Sequence, residues 1–321
     1  MLKVDGISRR YGDLKVVDKL SFTVNEGEFV ALLGPSGCGK STSLKMIAGL
    51  EMPDEGTIEL EGKDITQLSP GERKLAMVFQ SYALFPHLKV EENIIFGLQA
   101  RKVPKAEQKK RLDSVVELVG LGDHLQKKPG QLSGGQCQRV ALARAIVAQA
   151  KLCLMDEPLS NLDAKLRNEM RTEIRTLQQR LGMSVIYVTH DQVEAMSMAD
   201  RIVLMNDGKI EQIDVPEALY NKPQTIFTAQ FIGSPPMNII GSGKDRLGIR
   251  PEHIEISDKG MPAIVVSCDY HGADTIVLVD VSATEEDQKL VKIRYPGHAM
   301  FKAQQRLSIR WDSENEHKLP S

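Results

Sequence analysis

Gly34-Pro35-Ser36-Gly37-Cys38-Gly39-Lys40-Ser41 fits the pattern G-x-x-x-x-G-K-[ST], and that spacing has a physical reading. Glycines let the backbone curl until successive N–H groups point at phosphate oxygens, and the helix start that follows adds partial positive charge. Lys40 would then reach the β- and γ-phosphates, the Ser41 hydroxyl is placed to ligate Mg²⁺, and Thr42 is expected to touch the α-phosphate. The apolar run Phe29 to Leu33 before the loop and the helical stretch Ser41 to Leu50 after it supply the context the pattern needs. Alone, such a loop says only that the chain handles a nucleoside triphosphate.

Leu152-Cys153-Leu154-Met155-Asp156-Glu157 reads as an apolar strand ending in two acids. Asp156 can hold Mg²⁺ directly or through water. Its neighbour Glu157 is then free to orient or deprotonate an attacking water. A third group, Leu132-Ser133-Gly134-Gly135-Gln136, places a hydroxyl and two glycines at a helix start whose first N–H groups lack internal partners. That is a second anion-binding arrangement, although a solitary Ser-Gly-Gly turn would be ordinary helix capping.

The elements that must position these groups alternate between strand-like and helical runs from Met1 to about Ser234, which predicts an α/β core with much parallel sheet. Buried strands are expected at Phe29 to Leu33, Leu75 to Phe79, Leu152 to Met155 and Ser184 to Thr189. Helices are expected at Gln136 to Ala150, Lys165 to Leu181 and Gln192 to Met198. Val4 to Ile7, Leu20 to Val24 and Gly56 to Leu60 read as an antiparallel flank. At Gly233-Ser234-Pro235-Pro236 proline rejects a continuing helix and marks a boundary. Beyond it, Leu247 to Arg250, Ala263 to Ser267, Thr275 to Val281, Leu290 to Arg294 and Leu307 to Trp311 read as a small all-β barrel or sandwich.

Composition narrows the function classes. The 321 residues carry 41% hydrophobic and 26% charged side chains, enough for a core of normal size and more than one domain. A formal net charge of −2 argues against a nucleic-acid coat. No run approaches the roughly 20 apolar residues of a membrane span, and Met1-Leu2-Lys3-Val4-Asp5 lacks the pattern of a secretory leader. Cys38, Cys137, Cys153 and Cys268 form no C-x-x-C pair, which suits a reducing compartment, and the seven histidines show no zinc-like spacing.

The three motifs, in this order, resemble the nucleotide-binding subunits of ATP-binding cassette (ABC) transporters, whose signature is LSGGQ. The resemblance implies ATP and Mg²⁺ as ligands. It implies further roles too: Tyr11 in Arg10-Tyr11-Gly12 stacks on adenine, and Gln80 in Val78-Phe79-Gln80 senses the attacking water and joins Ser41 and Asp156 as a Mg²⁺ ligand. Asp163 in Ser160-Asn161-Leu162-Asp163 sits on a loop crossing a dimer interface, and His190 in Val188-Thr189-His190-Asp191 contacts the γ-phosphate. Leu132 to Gln136 would serve the ATP of a second copy. One departure stands out: the family often has Arg after the signature glutamine, where this chain has Cys137. We read it as a neutral replacement.

Val188 to Met196, Ala199-Asp200-Arg201-Ile202, Asn206-Asp207-Gly208, Phe231 to Asn238 and Gly248-Ile249-Arg250-Pro251-Glu252-His253 resemble the importer group that includes maltose and glycerol-3-phosphate ATPases. The implied fold is a P-loop NTPase cassette over residues 1–234, with an antiparallel β flank and a helical subdomain at about 85–150. A shortened, OB-like (TOBE) β-domain follows over 235–321. The implied partners are a second copy, two integral membrane permease subunits gripping a groove walled by Tyr82 to Leu88, and an extracytoplasmic solute-binding protein. No nucleic acid is expected. The implied place is peripheral, at the cytoplasmic face of the inner membrane, and the implied cargo is a carbohydrate or sugar phosphate. A polyamine or inorganic-ion importer is the rival reading. A non-transport cassette would usually bring a second cassette or a long coiled-coil insertion, an exporter cassette would lack the β-rich tail, and a non-hydrolysing sensor would not keep Glu157 and His190.

Overall fold

A computed structural model describes residues 1–241, 246–282 and 290–319. Contacts divide the chain into two units, Met1–Pro216 and Glu217–Ser321. The division falls ahead of Gly233-Ser234-Pro235-Pro236, so the stretch Phe231 to Asn238 groups with the β-rich part.

The first unit holds two sheets. An antiparallel one is ordered β2-β1-β4-β5, with β1 Leu2–Tyr11, β2 Leu14–Val24, β4 Glu55–Leu60 and β5 Lys63–Asp64. The other runs β10-β9-β3-β8-β7-β6, with β3 Phe29–Leu33, β6 Ala76–Val78, β7 Leu152–Asp156, β8 Ser184–Thr189, β9 Arg201–Asn206 and β10 Lys209–Asp214. All pairs in it are parallel except β9 with β10. The central strands β3, β8 and β7 read as nearly unbroken apolar runs because the sheet is covered there on both faces. Val30, Leu32, Leu154, Ile186 and Val188 pack toward the antiparallel sheet and the first helix, α1 (Lys40–Ala48). Their neighbours Phe29, Cys153, Met155, Val185 and Tyr187 pack with the other helices.

Those helices are α3 (Val90–Ala100), α4 (Lys105–Val119), α5 (Gly134–Val147), α6 (Ala164–Leu181) and α7 (Gln192–Met198), whereas the short α2 (Pro70–Arg73) lies against α1, with Arg73 donating to the Met46 and Ile47 carbonyls. Ile94 and Leu98 of α3, Val115 and Val119 of α4 and Leu142 of α5 share one buried cluster with Met170 and Ile174 of α6. This ties the helical layer to the face of the sheet opposite the antiparallel flank.

In the second unit, α8 (Pro216–Asn221) and α9 (Ile226–Phe231) precede two antiparallel sheets. One is β11-β12-β18, from Asn238–Ile240, Leu247–Ile249 and His317–Lys318. The larger is β13-β17-β14-β15-β16, from Glu255–Ser257, Arg306–Arg310, Met261–Tyr270, Asp274–Asp280 and Leu290–Pro296. Val265, Val277, Val279, Val291 and Ile293 form its core. Arg250 is buried in a polar setting: its guanidinium donates to the carbonyls of Tyr220 (2.6 Å) and Ile232 (2.5 Å) and lies over the Tyr220 ring.

Candidate nucleotide site

Register aligns the site. In the parallel sheet Leu33 lies beside Thr189, Val188 beside Asp156 and Met155 beside Val78. The residues that follow each strand therefore emerge at one edge: Gly34 after β3, His190 after β8, Glu157 after β7 and Phe79-Gln80 after β6. Ligands of open α/β sheets bind outside the carboxyl ends of the strands, where these loops converge.

The phosphate loop bends because glycine permits it. Gly39 takes φ +98° where it caps α1, and a Cβ there would stand 2.6 Å from the Val16 carbonyl oxygen. A Cβ on Gly34 would meet the Met205 carbonyl oxygen at 2.2 Å. Lys40 is buried, and its ammonium donates to the carbonyls of Gly34 and Pro35 at 2.7 Å each, which holds it across its own loop. Pro35, Ser36 and Gly37 form the outer turn of the loop, and Cys38 lies beneath it with its sulfur 3.8 Å from the Lys40 nitrogen. Burial pushes the Cys38 thiol up.

Ser41 donates to Asp156 Oδ1 at 2.8 Å. Burial raises the Asp156 carboxyl above the usual range; the Ser41 bond lowers it, and the nearby Glu157 charge raises it further. Two hard oxygen donors joined in this way beside a phosphate loop fit Mg²⁺, which binds through one or two protein oxygens, phosphates and water. A cation would relieve a carboxyl that burial otherwise disfavours as an anion. Among the described residues no group of three or more His, Cys, Asp or Glu side chains that could hold a metal forms; phosphate oxygens and other donors would complete the shell begun by Ser41 and Asp156. The Gln80 side chain is exposed, and the backbone carbonyl of Gln80 accepts from Asn161 Nδ2 at 2.9 Å.

Glu157 adopts φ +42°, the left-handed region that L side chains rarely enter, and its N–H donates to the Val188 carbonyl at 3.0 Å. Such strain tends to collect at functional sites. The turn brings Glu157 Oε2 to 3.2 Å from His190 Nδ1. His190 stays half exposed, facing the space above the strand ends.

Ser133 caps α5 and forms a reciprocal pair with Gln136: the Gln136 N–H reaches Ser133 Oγ at 3.3 Å, and the Ser133 N–H reaches Gln136 Oε1 at 2.9 Å. Leu132 is half-buried below the cap. A Cβ on Gly134 would touch Leu162, and one on Gly135 would crowd Leu166, so the helix start rests on the loop that Asp163 closes. Asp163 itself caps α6, accepting from the Leu166 N–H at 2.9 Å. Cys137 Sγ turns inward to the Pro129 carbonyl at 3.7 Å, and burial raises its thiol, so it sits as a small apolar residue. Tyr11 is exposed, donates to Glu51 and carries Arg9 over its ring. Among the described residues no hydrogen bond joins 132–136 to 34–42. Ser41 of the phosphate loop is joined to Asp156, and Glu157 to His190.

Three supporting residues were given no role by the sequence reading. Asn161 ties the Asp163 loop to Gln80. Glu194 is buried and accepts from Tyr187 and Thr189 hydroxyls at 2.9 and 2.7 Å. Arg167 reaches the Leu162 carbonyl at 3.1 Å. Only the position of Arg167, one helical turn past Asp163, offered a signal.

A strand, glycine-rich loop and helix, an acid pair at a neighbouring strand end, a histidine between them and a serine-capped signature helix define a P-loop nucleoside triphosphatase of the ATP-binding cassette class. Comparisons agree. The ABC transporter family model matches residues 17–160 and the TOBE domain model residues 247–319. The sn-glycerol-3-phosphate import ATP-binding protein UgpC of Ruegeria sp. (strain TM1040) is 45% identical over 313 residues, covering 90% of this chain and 88% of that one. The spermidine/putrescine import ATP-binding protein PotA of Bacillus thuringiensis (strain Al Hakam) is 48% identical over 271 residues, 84% of this chain and 81% of that one. Among solved structures, a dimeric post-hydrolysis state of the ATP-binding cassette MJ0796 bound to ADP and Pi aligns with TM-score 0.59 and 30% identity, over 67% of this chain and 99% of that one. This chain belongs to the import ATP-binding subunits of ABC transporters and is an ATPase. Among the described residues, no helix is long and apolar enough to cross a membrane.

Proposed function

We propose that two copies of the chain close head to tail on two ATP molecules, and that this closure drives uptake of a carbohydrate or sugar-phosphate solute through two membrane permease subunits supplied by a solute-binding protein. The pairing is supported by the lack of any hydrogen bond, among the described residues, between Ser133 to Gln136 and Gly34 to Thr42, and by the dimeric state of the cassette that aligns with this chain. Each half is shaped for an anion and lacks the other.

In this reading Gly34 to Gly39 cradle the phosphates, and Lys40 leaves its loop carbonyls for the β- and γ-oxygens. Thr42 reaches the α-phosphate, and Tyr11 takes the adenine once its ring turns from Glu51. Ser41, Asp156 and Gln80 hold Mg²⁺, whose charge offsets that of the phosphates. Glu157 orients the attacking water, and His190, 3.2 Å from it, touches the γ-phosphate. Phosphoryl transfer depends mainly on such positioning and charge neutralisation. Ser133, Gly134, Gly135 and Gln136 complete the site on the second copy, with Leu132 packed beneath. Asp163 borders the interface, and Tyr82 to Leu88, braced by Arg144 at the carbonyls of Tyr82 and Ala83, wall the permease groove. The assembly would sit peripherally at the cytoplasmic face of the inner membrane. ATP stabilises one of two states and works only through its differential affinity for them.

The glycerol-3-phosphate relative matches over nine-tenths of the chain, which supports the sugar-phosphate cargo. A polyamine cargo is the second reading, favoured by a relative of higher identity (48% against 45%) over a shorter match. Glu157→Gln should bind ATP and run as a dimer by light scattering, and a monomer under excess ATP and Mg²⁺ would refute the pairing. Expressing the chain in strains lacking either importer's ATPase separates the cargoes. Growth on glycerol 3-phosphate alone supports the first reading, and restored spermidine uptake alone supports the second.

A further inference from the structure

Beside His190 lies a small, partly open polar space of about 30 Å³, lined by Glu157, Ser160, Arg167, Asp191 and Glu194 together with Thr189 and His190. It is large enough for a single water. Arg167 is the residue of this group that faces two ways. Its backbone belongs to the first turn of α6, where its N–H donates to the Asp163 carbonyl at 2.8 Å. Its guanidinium reaches back to the Leu162 carbonyl at 3.1 Å, in the loop that the signature helix rests on. On its other side Nη1 stands 3.6 Å from Asp191 Oδ2, and Nε stands 4.0 Å from Glu194 Oε1, buried and without a hydrogen bond. Glu194 and Asp191 in turn hold Thr189: the threonine hydroxyl donates to Glu194 at 2.7 Å and accepts the Asp191 N–H at 2.9 Å. The next residue is His190, set 3.2 Å from Glu157.

We propose that Arg167 is a positioning residue that couples the Leu162–Asp163 loop to the histidine turn, so that the place of His190 against Glu157 depends on the place of that loop. The inference rests on the pairing reading, in which the loop borders the second copy. Closure displaces Leu162 and Asp163, the planar guanidinium follows the Leu162 carbonyl, and the Asp191–Glu194 pair carries the shift to Thr189 and His190. Arginine suits the task because a rigid fork can serve a carbonyl on one edge and two carboxylates on the other. Lysine, a single point charge, could serve only one side at a time.

Arg167→Gln and Arg167→Lys are compared with the parent for kcat and KM of ATP hydrolysis, and for ATP-dependent pairing in the Glu157→Gln background. A misplaced catalytic group costs on the order of 100-fold in rate, so Arg167→Gln should lower kcat about 10- to 100-fold. KM should stay within about threefold and pairing should persist, because the phosphate loop is untouched. Arg167→Lys should recover part of the lost kcat. Unchanged kcat in Arg167→Gln overturns the inference. So does a rise in KM with loss of pairing, which would make Arg167 a general brace. Pairing and turnover of the parent, measured alongside, separate the two claims. Their absence refutes the pairing itself, whereas their presence beside a fully active Arg167→Gln refutes only the coupling.

Discussion

Glu194 shows how a single side chain can hold a catalytic turn at a cost. It accepts two hydroxyls in a buried position, and burial raises its carboxyl above the usual range more than those bonds lower it. A carboxyl whose folded-state pKa is raised favours folding by its protonated form. That contribution is present below the unfolded value near 4.5 and is lost as pH rises through the raised folded value. Glu194→Gln keeps an oxygen for Tyr187 and Thr189 and removes the ionisation. Thermal unfolding of both proteins between pH 4 and 8 should show the variant gaining on the parent as pH rises. A parallel pair of curves would mean that Glu194 does not titrate differently in the two states. Glu157, by contrast, stores its cost in the backbone, since its left-handed turn opposes any L residue.

Elements differ in how openly the sequence announces them. Phe29–Leu33 and Gln192–Met198 coincide with their expected spans because each is bounded by strong stops, the phosphate-loop glycine on one side and the Asp191 cap on the other. α5 starts two residues before its expected Gln136 because Ser133, not the glutamine, caps it, and it ends at Val147 short of Ala150. The flank strands β1 and β2 run well beyond the expected Val4 to Ile7 and Leu20 to Val24, through register shifts that scramble the two-residue alternation. The hairpin β9–β10 was not foreseen as strands, although Asp207 at φ +45° and Gly208 at φ +78° form the two-residue turn that an Asp-Gly pair signals. α3 and α4 were anticipated only as a helical region: the apolar residues of α3 crowd into Ile94-Ile95-Phe96, and the charged face of α4 leaves few apolar positions. The site loops were legible because glycine, lysine, serine and paired acids are needed there one by one. Arg167 and Glu194 were not, because their partners are set by packing between α6, α7 and β8.

The same scale holds a test of the second unit. Arg250 satisfies carbonyls at the ends of α8 and α9. Arg250→Met would leave those acceptors buried and unpaired, a loss of about 3 kcal/mol or more. Trp311, the only tryptophan of the chain, lies in this unit and donates to Glu316 at 3.0 Å. Its fluorescence in urea should report an earlier transition in the variant, and an unmoved midpoint would show that Arg250 is dispensable there.

At the level of the whole molecule, the chain carries a phosphate loop with its acid pair and, on a separate helix start, a signature that makes no bond to that loop. Family membership explains why both are present, and the proposed pairing explains why they are apart. It also sets what happens in a mixed population. When intact chains are diluted with Lys40→Ala copies, pairs with two working halves should fall as the square of the intact fraction, to about one quarter at equal amounts. ATPase per intact chain should therefore drop by about half there, and a constant value would point to chains that work alone. On the proposed pairing, a defective gene product would be an active poison, not merely a missing part.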